Sequence, residues 1–262
     1  LRDSTMIDVS VIGCGNMGGA LLTGLSRAGG YRLTAYDVDP DAFEAVSEHC
    51  DRTTTDLGDV RDSAVVVLAV KPDVVPIVLE DLDLRPEQTL VTIAAGVSRA
   101  RVAPETDATV VRLMPNLAAE TRTMAAAVSW DDPDEAVERM LSDLGEYVVI
   151  DEGLMHTATA LNGSGPAFVF YLIRGMQDRA VTEGLDPDDA RTLAAQTFSG
   201  AAETVLRSDR DLDALIDAVC SPGGTTIEGM DVLFDSDADA VIGDAVTAAR
   251  RRSEELAGDA EE

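Results

Sequence analysis

The residues best suited to chemistry stand in two glycine turns. Cys220-Ser221-Pro222-Gly223-Gly224-Thr225-Thr226 runs into a helical pattern, so adjacent glycines, hydroxyls and a helix start come together. Backbone amides at Gly224, Thr225 and Thr226, backed by the helix and by the Ser221 hydroxyl, would form a pocket for a small anion. Far upstream, Gly13-Cys14-Gly15-Asn16-Met17-Gly18 follows an apolar run and opens another helical pattern. There Gly13 makes the turn, Gly15 admits a pyrophosphate to the backbone, and Gly18 lets helix and strand pack closely, with Asn16 and Met17 at the helix start. One turn suits a dinucleotide, the other a small acid. A helix capped by Ser221 with Pro222 at its first position would explain the hydroxyl and the proline, but not two consecutive glycines.

Two charged residues stand where a dinucleotide would need them. Asp37 closes the second apolar run, about 20 residues past the glycine loop, where a carboxylate can hydrogen-bond two ribose hydroxyls and repel a 2′-phosphate, favouring NAD over NADP. It is equally the residue expected beside a helix cap in an aspartate-rich chain. Lys71 follows another buried apolar run and is the only lysine among 20 basic residues. A lone survivor at a strand end suggests a place that needs a compact ammonium, although lone lysines also persist on ordinary surfaces.

Elements that would hold these residues can be read from the apolar pattern. Strands are expected over 7–12, 31–37, 64–70, 89–94, 109–114, 124–130 and 147–151, with helices over 16–28 and 40–49. Alternation of this kind predicts an α/β fold, a Rossmann-type, doubly wound, mostly parallel sheet covered on both faces. After residue 151 the pattern becomes purely helical, over 164–183, 187–207, 212–220 and 237–256. A dinucleotide-binding domain over 1–151 and a helical substrate-binding and dimerisation domain over 152–262 are therefore expected, with residues 257–262 as an acidic tail. Residues before Met6 carry no readable chemistry.

Composition narrows the function class. Asp and Glu number 49 against 20 Lys and Arg, a formal net charge of -29, while 45% of the chain is hydrophobic. That is a folding composition rather than an acidic disordered one. Acidity with lysine almost purged points to a chain adapted to molar salt, where screening shortens charge repulsion to about 3 Å. No basic patch exists to neutralise nucleic acid phosphates. Cys14, Cys50 and Cys220 lack disulfide or zinc spacing, and His49 and His156 are the only histidines, so no metal site is expected. Asp37-Val38-Asp39-Pro40-Asp41 begins like a calcium loop, but its glycine and closing glutamate are missing. Without a membrane-length apolar run or a signal-type core, the chain reads as a soluble cytoplasmic protein.

Five segments in order give the chain a resemblance to the pyrroline-5-carboxylate reductase family: the first glycine loop, Val70-Lys71-Pro72, Ile93-Ala94-Ala95-Gly96 with Met114-Pro115-Asn116, Asn162-Gly163-Ser164-Gly165-Pro166-Ala167-Phe168, and the Ser221 to Thr226 turn. The resemblance implies reduction of a cyclic imine to proline by NADH or NADPH, with Val70, Lys71, Pro72, Ala95, Gly96 and Asn116 near the cofactor. Ser164 and Gly165 would approach the nicotinamide and substrate, although Ser164 and Pro166 also fit plain helix capping. Ser221, Gly223, Gly224 and Thr225 would hold the substrate carboxylate, while Thr226, bonded to the ring nitrogen, and Lys71 are the candidate catalytic residues. Many members carry a polar or basic residue in place of Asp37 and use NADPH. Leu117-Ala118 replaces a usual Thr-Pro, residues 120–123 lack expected glycines, and Asn162 and Phe168 each replace a hydroxyl. Interlocked homodimers or higher oligomers are also implied, and the alanine-rich stretches 193–205 and 238–249 could close-pack with a partner. A dehydrogenase of the β-hydroxyacid type would need a lysine in the helical part, and none follows Lys71. A nucleotide-sensing or scaffold protein would leave the second glycine turn unexplained.

Overall fold

The computed structural model describes residues 6–132 and 134–259, so the expectations for residues before Met6 and for 260–262 lie outside the described residues. Two compact units emerge, Leu1–Gly163 with Ala248–Glu262, and Ser164–Thr247.

The first unit is built on an eight-stranded sheet in the order β3-β2-β1-β4-β5-β6-β7-β8. The strands are β1 (Ile7–Ile12), β2 (Tyr31–Tyr36), β3 (Arg52–Thr54), β4 (Val65–Leu68), β5 (Thr89–Thr92), β6 (Thr109–Met114), β7 (Met124–Ser129) and β8 (Gly145–Val149). All neighbours run parallel except β6 and β7, which pair antiparallel through Arg112 and Ser129. Helices α1 (Asn16–Ala28), α2 (Val75–Asp81), α3 (Arg99–Val102), α4 (Glu135–Leu144) and α5 (Met155–Ala158) connect or follow the strands.

Why β4 is continuous apolar sequence is plain from its packing. Val65 and Val67 face one core with Leu21, Leu22 and Leu25 of α1 and Leu141 and Leu144 of α4. Val66 and Leu68 face the other with Val75, Val78 and Leu79 of α2. Successive side chains point to opposite faces, so a strand covered on both sides must be apolar at every position.

The expected mostly parallel, doubly wound fold is therefore the one observed, with local differences. Residues 40–49 form two short 3₁₀ turns, Pro40–Phe43 and Ser47–His49, instead of one helix. Within this stretch only Val46 is fully buried, too little apolar surface to hold a helix against the sheet. Strand β3 went unpredicted because it is a three-residue edge strand, Arg-Thr-Thr, without an apolar run. Helices α2 and α4 were also missed. In α4 the signal was present: Asp134 caps the amides of Ala136 and Val137, and Val137, Met140, Leu141 and Leu144 follow at helical spacing.

The segment after residue 151 groups with the sheet. Met155 is fully buried beside Met114 and Ala127, and the Asn162 amide donates to the Met114 and Ala125 carbonyls at 2.8 and 2.9 Å. The compact boundary consequently falls at Gly163, later than the expected 151.

The helical unit comprises α6 (Gly165–Thr182), α7 (Pro187–Arg207), α8 (Leu212–Val219), α9 (Thr225–Phe234) and the first half of α10 (Ala238–Asp259). It has almost no interior of its own. Ala190 and Ala194 are its only buried side chains among the described residues, whereas Phe170, Tyr171, Leu206 and Phe234 are each about two-thirds exposed. Apolar faces of that extent mark an interaction surface.

Candidate active site

The first glycine loop is shaped by contacts that only glycine permits. Gly13 has φ 102°, and a Cβ there would lie 2.6 Å from the Ala69 carbonyl oxygen. At Gly18 a Cβ would overlap the Gly13 carbonyl oxygen and approach the Ala69 Cβ to 3.3 Å. These are the turn and the close helix–strand approach expected of the two residues. Gly15 differs, because a Cβ there would meet nothing within 4 Å. Its backbone faces open space, as approach of a pyrophosphate requires.

The next strand over shares this edge. The Ala69 N–H donates to the Ile12 carbonyl at 2.8 Å, which holds Ala69-Val70-Lys71-Pro72 beside Gly13. β1 and β4 are sheet neighbours from which the chain proceeds in opposite directions, to β2 and to β5, so their C-terminal ends form the topological switch point. Lys71 is exposed there, and its ammonium has no partner among the described residues.

Asp37 is tied into the same loop. Its Oδ2 accepts the Cys14 N–H at 2.8 Å and its Oδ1 accepts the Asp39 N–H at 3.1 Å. Capping of the following turn belongs to Asp39, which accepts the Asp41 N–H. The Cys14 thiol is pushed up to about 12 by burial, then by the Asp37 carboxylate and Cys50, so it stays protonated and inert.

Ala94 to Val97 form a turn with Gly96 at φ 77°, and a Cβ on Gly96 would touch the Ala257 backbone at 3.0 Å. Asn116 is buried and largely spent on structure. Its amide donates to the Asn162 carbonyl at 3.2 Å, and its Oδ1 accepts the N–H groups of Ala118 and Ala125. Where the family's usual glycines are missing, Arg122 itself takes the left-handed conformation at φ 60°. The replaced hydroxyl at Asn162 also finds its reason here, because an amide can clamp the ends of β6 and β7 together. Its Oδ1 stays buried without a partner.

In the helical unit, the Gly224 N–H donates to the Ser221 carbonyl at 2.9 Å and Gly223 has φ 70°. Pro222 then Gly223 at the centre is a type II turn. Helix α9 begins only at Thr225 with Gly224 as its N-cap, so Ser221 does not cap it. A Cβ on Gly224 would collide with the Ser221 hydroxyl. The Thr225 and Thr226 hydroxyls are unspent within the described residues, whereas those of Thr182, Thr197, Thr204 and Thr247 bond back to carbonyls four residues earlier.

Side-chain caps mark some helix starts and not others. Asp134, Asp186 and Asp211 cap α4, α7 and α8 with their side chains. Helices α1, α6 and α9 start at Gly15, Ser164 and Gly224 without a side-chain cap, so the expected Ser164 capping bond is not made. The starts of α2, α3 and α5 lack a side-chain N-cap as well, so the missing cap is not peculiar to these three, but free amides and positive dipole ends at Gly15, Ser164 and Gly224 fit anionic groups. Among the described residues, no three His, Cys, Asp or Glu side chains gather to hold a metal, and no helix is long and apolar enough to cross a membrane.

Strand order, glycine loop and loop-anchored carboxylate define a nicotinamide-dinucleotide-binding oxidoreductase fold followed by a helical unit. Residues 8–96 match the family model for NADP oxidoreductase, coenzyme F420-dependent, and residues 152–256 match pyrroline-5-carboxylate reductase dimerisation. Pyrroline-5-carboxylate reductase from Methanosarcina acetivorans is 38% identical, over 95% of this chain and 97% of its own. That from Escherichia coli is 33% identical with the same coverage. The crystal structure of Plasmodium falciparum pyrroline carboxylate reductase with NADP bound superposes with a TM-score of 0.82 at 25% identity, covering 97% of this chain and 99% of that one. The chain belongs to the pyrroline-5-carboxylate reductase family.

Proposed function

We propose that this chain reduces 1-pyrroline-5-carboxylate to L-proline, the last step of proline biosynthesis, using NADH or NADPH. The observation that carries the reading is the uncapped Ser221 to Thr226 turn with its unspent hydroxyls, in a chain related to these reductases over nearly its whole length. When bound, the dinucleotide supplies a hydride to the imine carbon. The chain's own residues supply placement. Amides of Gly224, Thr225 and Thr226, with Ser221, hold the carboxylate, and the Thr226 hydroxyl orients the ring nitrogen, whose protonation makes the neighbouring carbon electrophilic. Gly13, Gly15, Asn16, Met17 and Gly18 cradle the pyrophosphate, and Lys71 offers a cation at the same strand edge. Catalysis is then mostly positioning and charge complementarity.

The test is oxidation of NADH and, separately, NADPH with pyrroline-5-carboxylate in concentrated potassium chloride, with proline identified as product. Thr226→Ala is expected to lower kcat/KM about 10- to 100-fold, as loss of a hydrogen bond to a charged group of about 1.5–3 kcal/mol implies. Full turnover by that variant would remove Thr226 from the mechanism. No turnover with either nucleotide, in folded and nucleotide-bound wild type, would end the reductase reading.

The helical unit finds its missing interior in a second copy. Its exposed Phe170, Tyr171, Leu206 and Phe234 support this, as does the dimerisation match over 152–256. Free Cys14, Cys50 and Cys220 suit the cytoplasm.

The net charge of -29 makes salt a structural partner. Between about 1 M and 0.01 M salt the screening length grows from about 3 to 30 Å. Thermal unfolding across that range is expected to show a midpoint that falls steadily as salt is removed. A midpoint independent of potassium chloride would refute salt adaptation.

A further inference from the structure

We propose that Asp37 makes this chain select NADH over NADPH, an inference that rests on the reductase reading above. The carboxylate stands immediately beyond β2 and is fixed by two amides, Cys14 N–H on Oδ2 at 2.8 Å and Asp39 N–H on Oδ1 at 3.1 Å. Its own N–H donates to the Thr54 carbonyl at 3.3 Å. An ionised carboxylate offers about four lone-pair sites, so two stay free for the 2′- and 3′-hydroxyls of a ribose. A surface aspartate would be free to swing away. This one is part of the glycine loop.

The segment that follows it opposes an extra phosphate. From Asp37 to Asp51 the chain carries six carboxylates, Asp37, Asp39, Asp41, Glu44, Glu48 and Asp51, and no lysine or arginine. Arg52, next in sequence, is paired with Asp59. Burial, followed by the carboxylates of Asp37, Asp81 and Asp56, pushes the Tyr36 phenol above its ordinary range, which places three negative charges around the end of β2. A 2′-phosphate carries about -1.5 to -2 charges and is ordinarily accommodated by an arginine at this position. Here it would displace the ribose bonds to Asp37 and find no guanidinium in exchange. Screening in molar salt shortens the repulsion to about 3 Å, but Asp37 would be in contact with the phosphate, inside that distance. Selection therefore survives in salt. It would set this chain apart from the Plasmodium falciparum relative, whose structure holds NADP.

Calorimetric titration of the full chain with NADH and with NADPH, in about 1 M potassium chloride, tests this without turnover. Wild type is expected to bind NADH at least about tenfold more tightly, and Asp37→Asn, which keeps an acceptor for the Cys14 N–H, should shrink that ratio severalfold. Equal or tighter binding of NADPH by wild type would overturn the proposal while leaving the reductase reading intact. An unchanged ratio in folded Asp37→Asn would overturn it as well. The wild-type ratio decides even where the variant fails to fold. Binding of neither nucleotide to folded protein would remove the reductase reading and the proposal together.

Discussion

Alanine at Gly18 is expected to lower stability by at least about 3 kcal/mol and, in whatever folds, to weaken dinucleotide binding about 100-fold or more. The added Cβ would overlap the Gly13 carbonyl oxygen, and Gly13 has nowhere to go. Its N–H is bonded to the Tyr36 carbonyl at 2.8 Å and its φ is 102°. Retreat of α1 would instead pull Leu21, Leu22 and Leu25, each at most 1% exposed, out of the core, at about 1.5–3 kcal/mol per side chain. Gly15→Ala provides the contrast, because its Cβ enters open space. That variant should keep wild-type stability and lose nucleotide affinity alone. Urea unfolding and calorimetric titration of both variants separate the two effects. Wild-type behaviour of Gly18→Ala in both measurements would show that the close approach is not needed.

The same contrast explains how much could be read in advance. Glycines and buried apolar runs state backbone requirements directly, so β1, α1, β4, β6 and the two glycine turns were legible in the sequence. Asp37 was ambiguous, since a carboxylate that binds ribose and one that borders a cap look alike in sequence. In the fold its oxygens accept the Cys14 and Asp39 N–H groups, bonds that no local sequence pattern announces. Ser164 and Ser221 went the other way: each sits where a capping serine would sit, and neither caps. Short or exposed pieces such as β3 and the turns at 40–49 are stabilised by neighbours more than by local pattern, and so carried little signal. Least visible was Arg112. Its partner, Glu152, lies 40 residues away, and no spacing rule links a charged residue in a strand to a loop carboxylate that far along the chain.

That pair carries the second large effect. Arg112 is only 4% exposed within β6, and its Nε has no partner. Its terminal nitrogen donates to Glu152 Oε1 at 3.1 Å, and the same oxygen accepts the Arg99 N–H at 2.7 Å. Arg99 in turn donates to the Val110 carbonyl and to Asp131. Glu152 is therefore the sole carboxylate on a buried guanidinium among the described residues, and it also satisfies the start of α3. Removing one partner of a buried pair costs about 3–5 kcal/mol, because the other charge is stranded. Glu152 is about a quarter exposed, so water can partly replace it and the loss from Glu152→Ala should sit near 3 kcal/mol, on the order of a 10 °C fall in Tm. Replacing both residues with apolar ones, Arg112→Met with Glu152→Leu, should recover much of the loss, since no charge then remains to be solvated. β6 leads directly into Met114-Pro115-Asn116, whose carbonyl and amide hold Asn162. Loosening at Arg112 should consequently reach the cofactor edge and raise the KM for nucleotide in the single variant more than in the double one. A Glu152→Ala protein as stable as wild type would mean that water already neutralises Arg112, and the network would then be surface decoration.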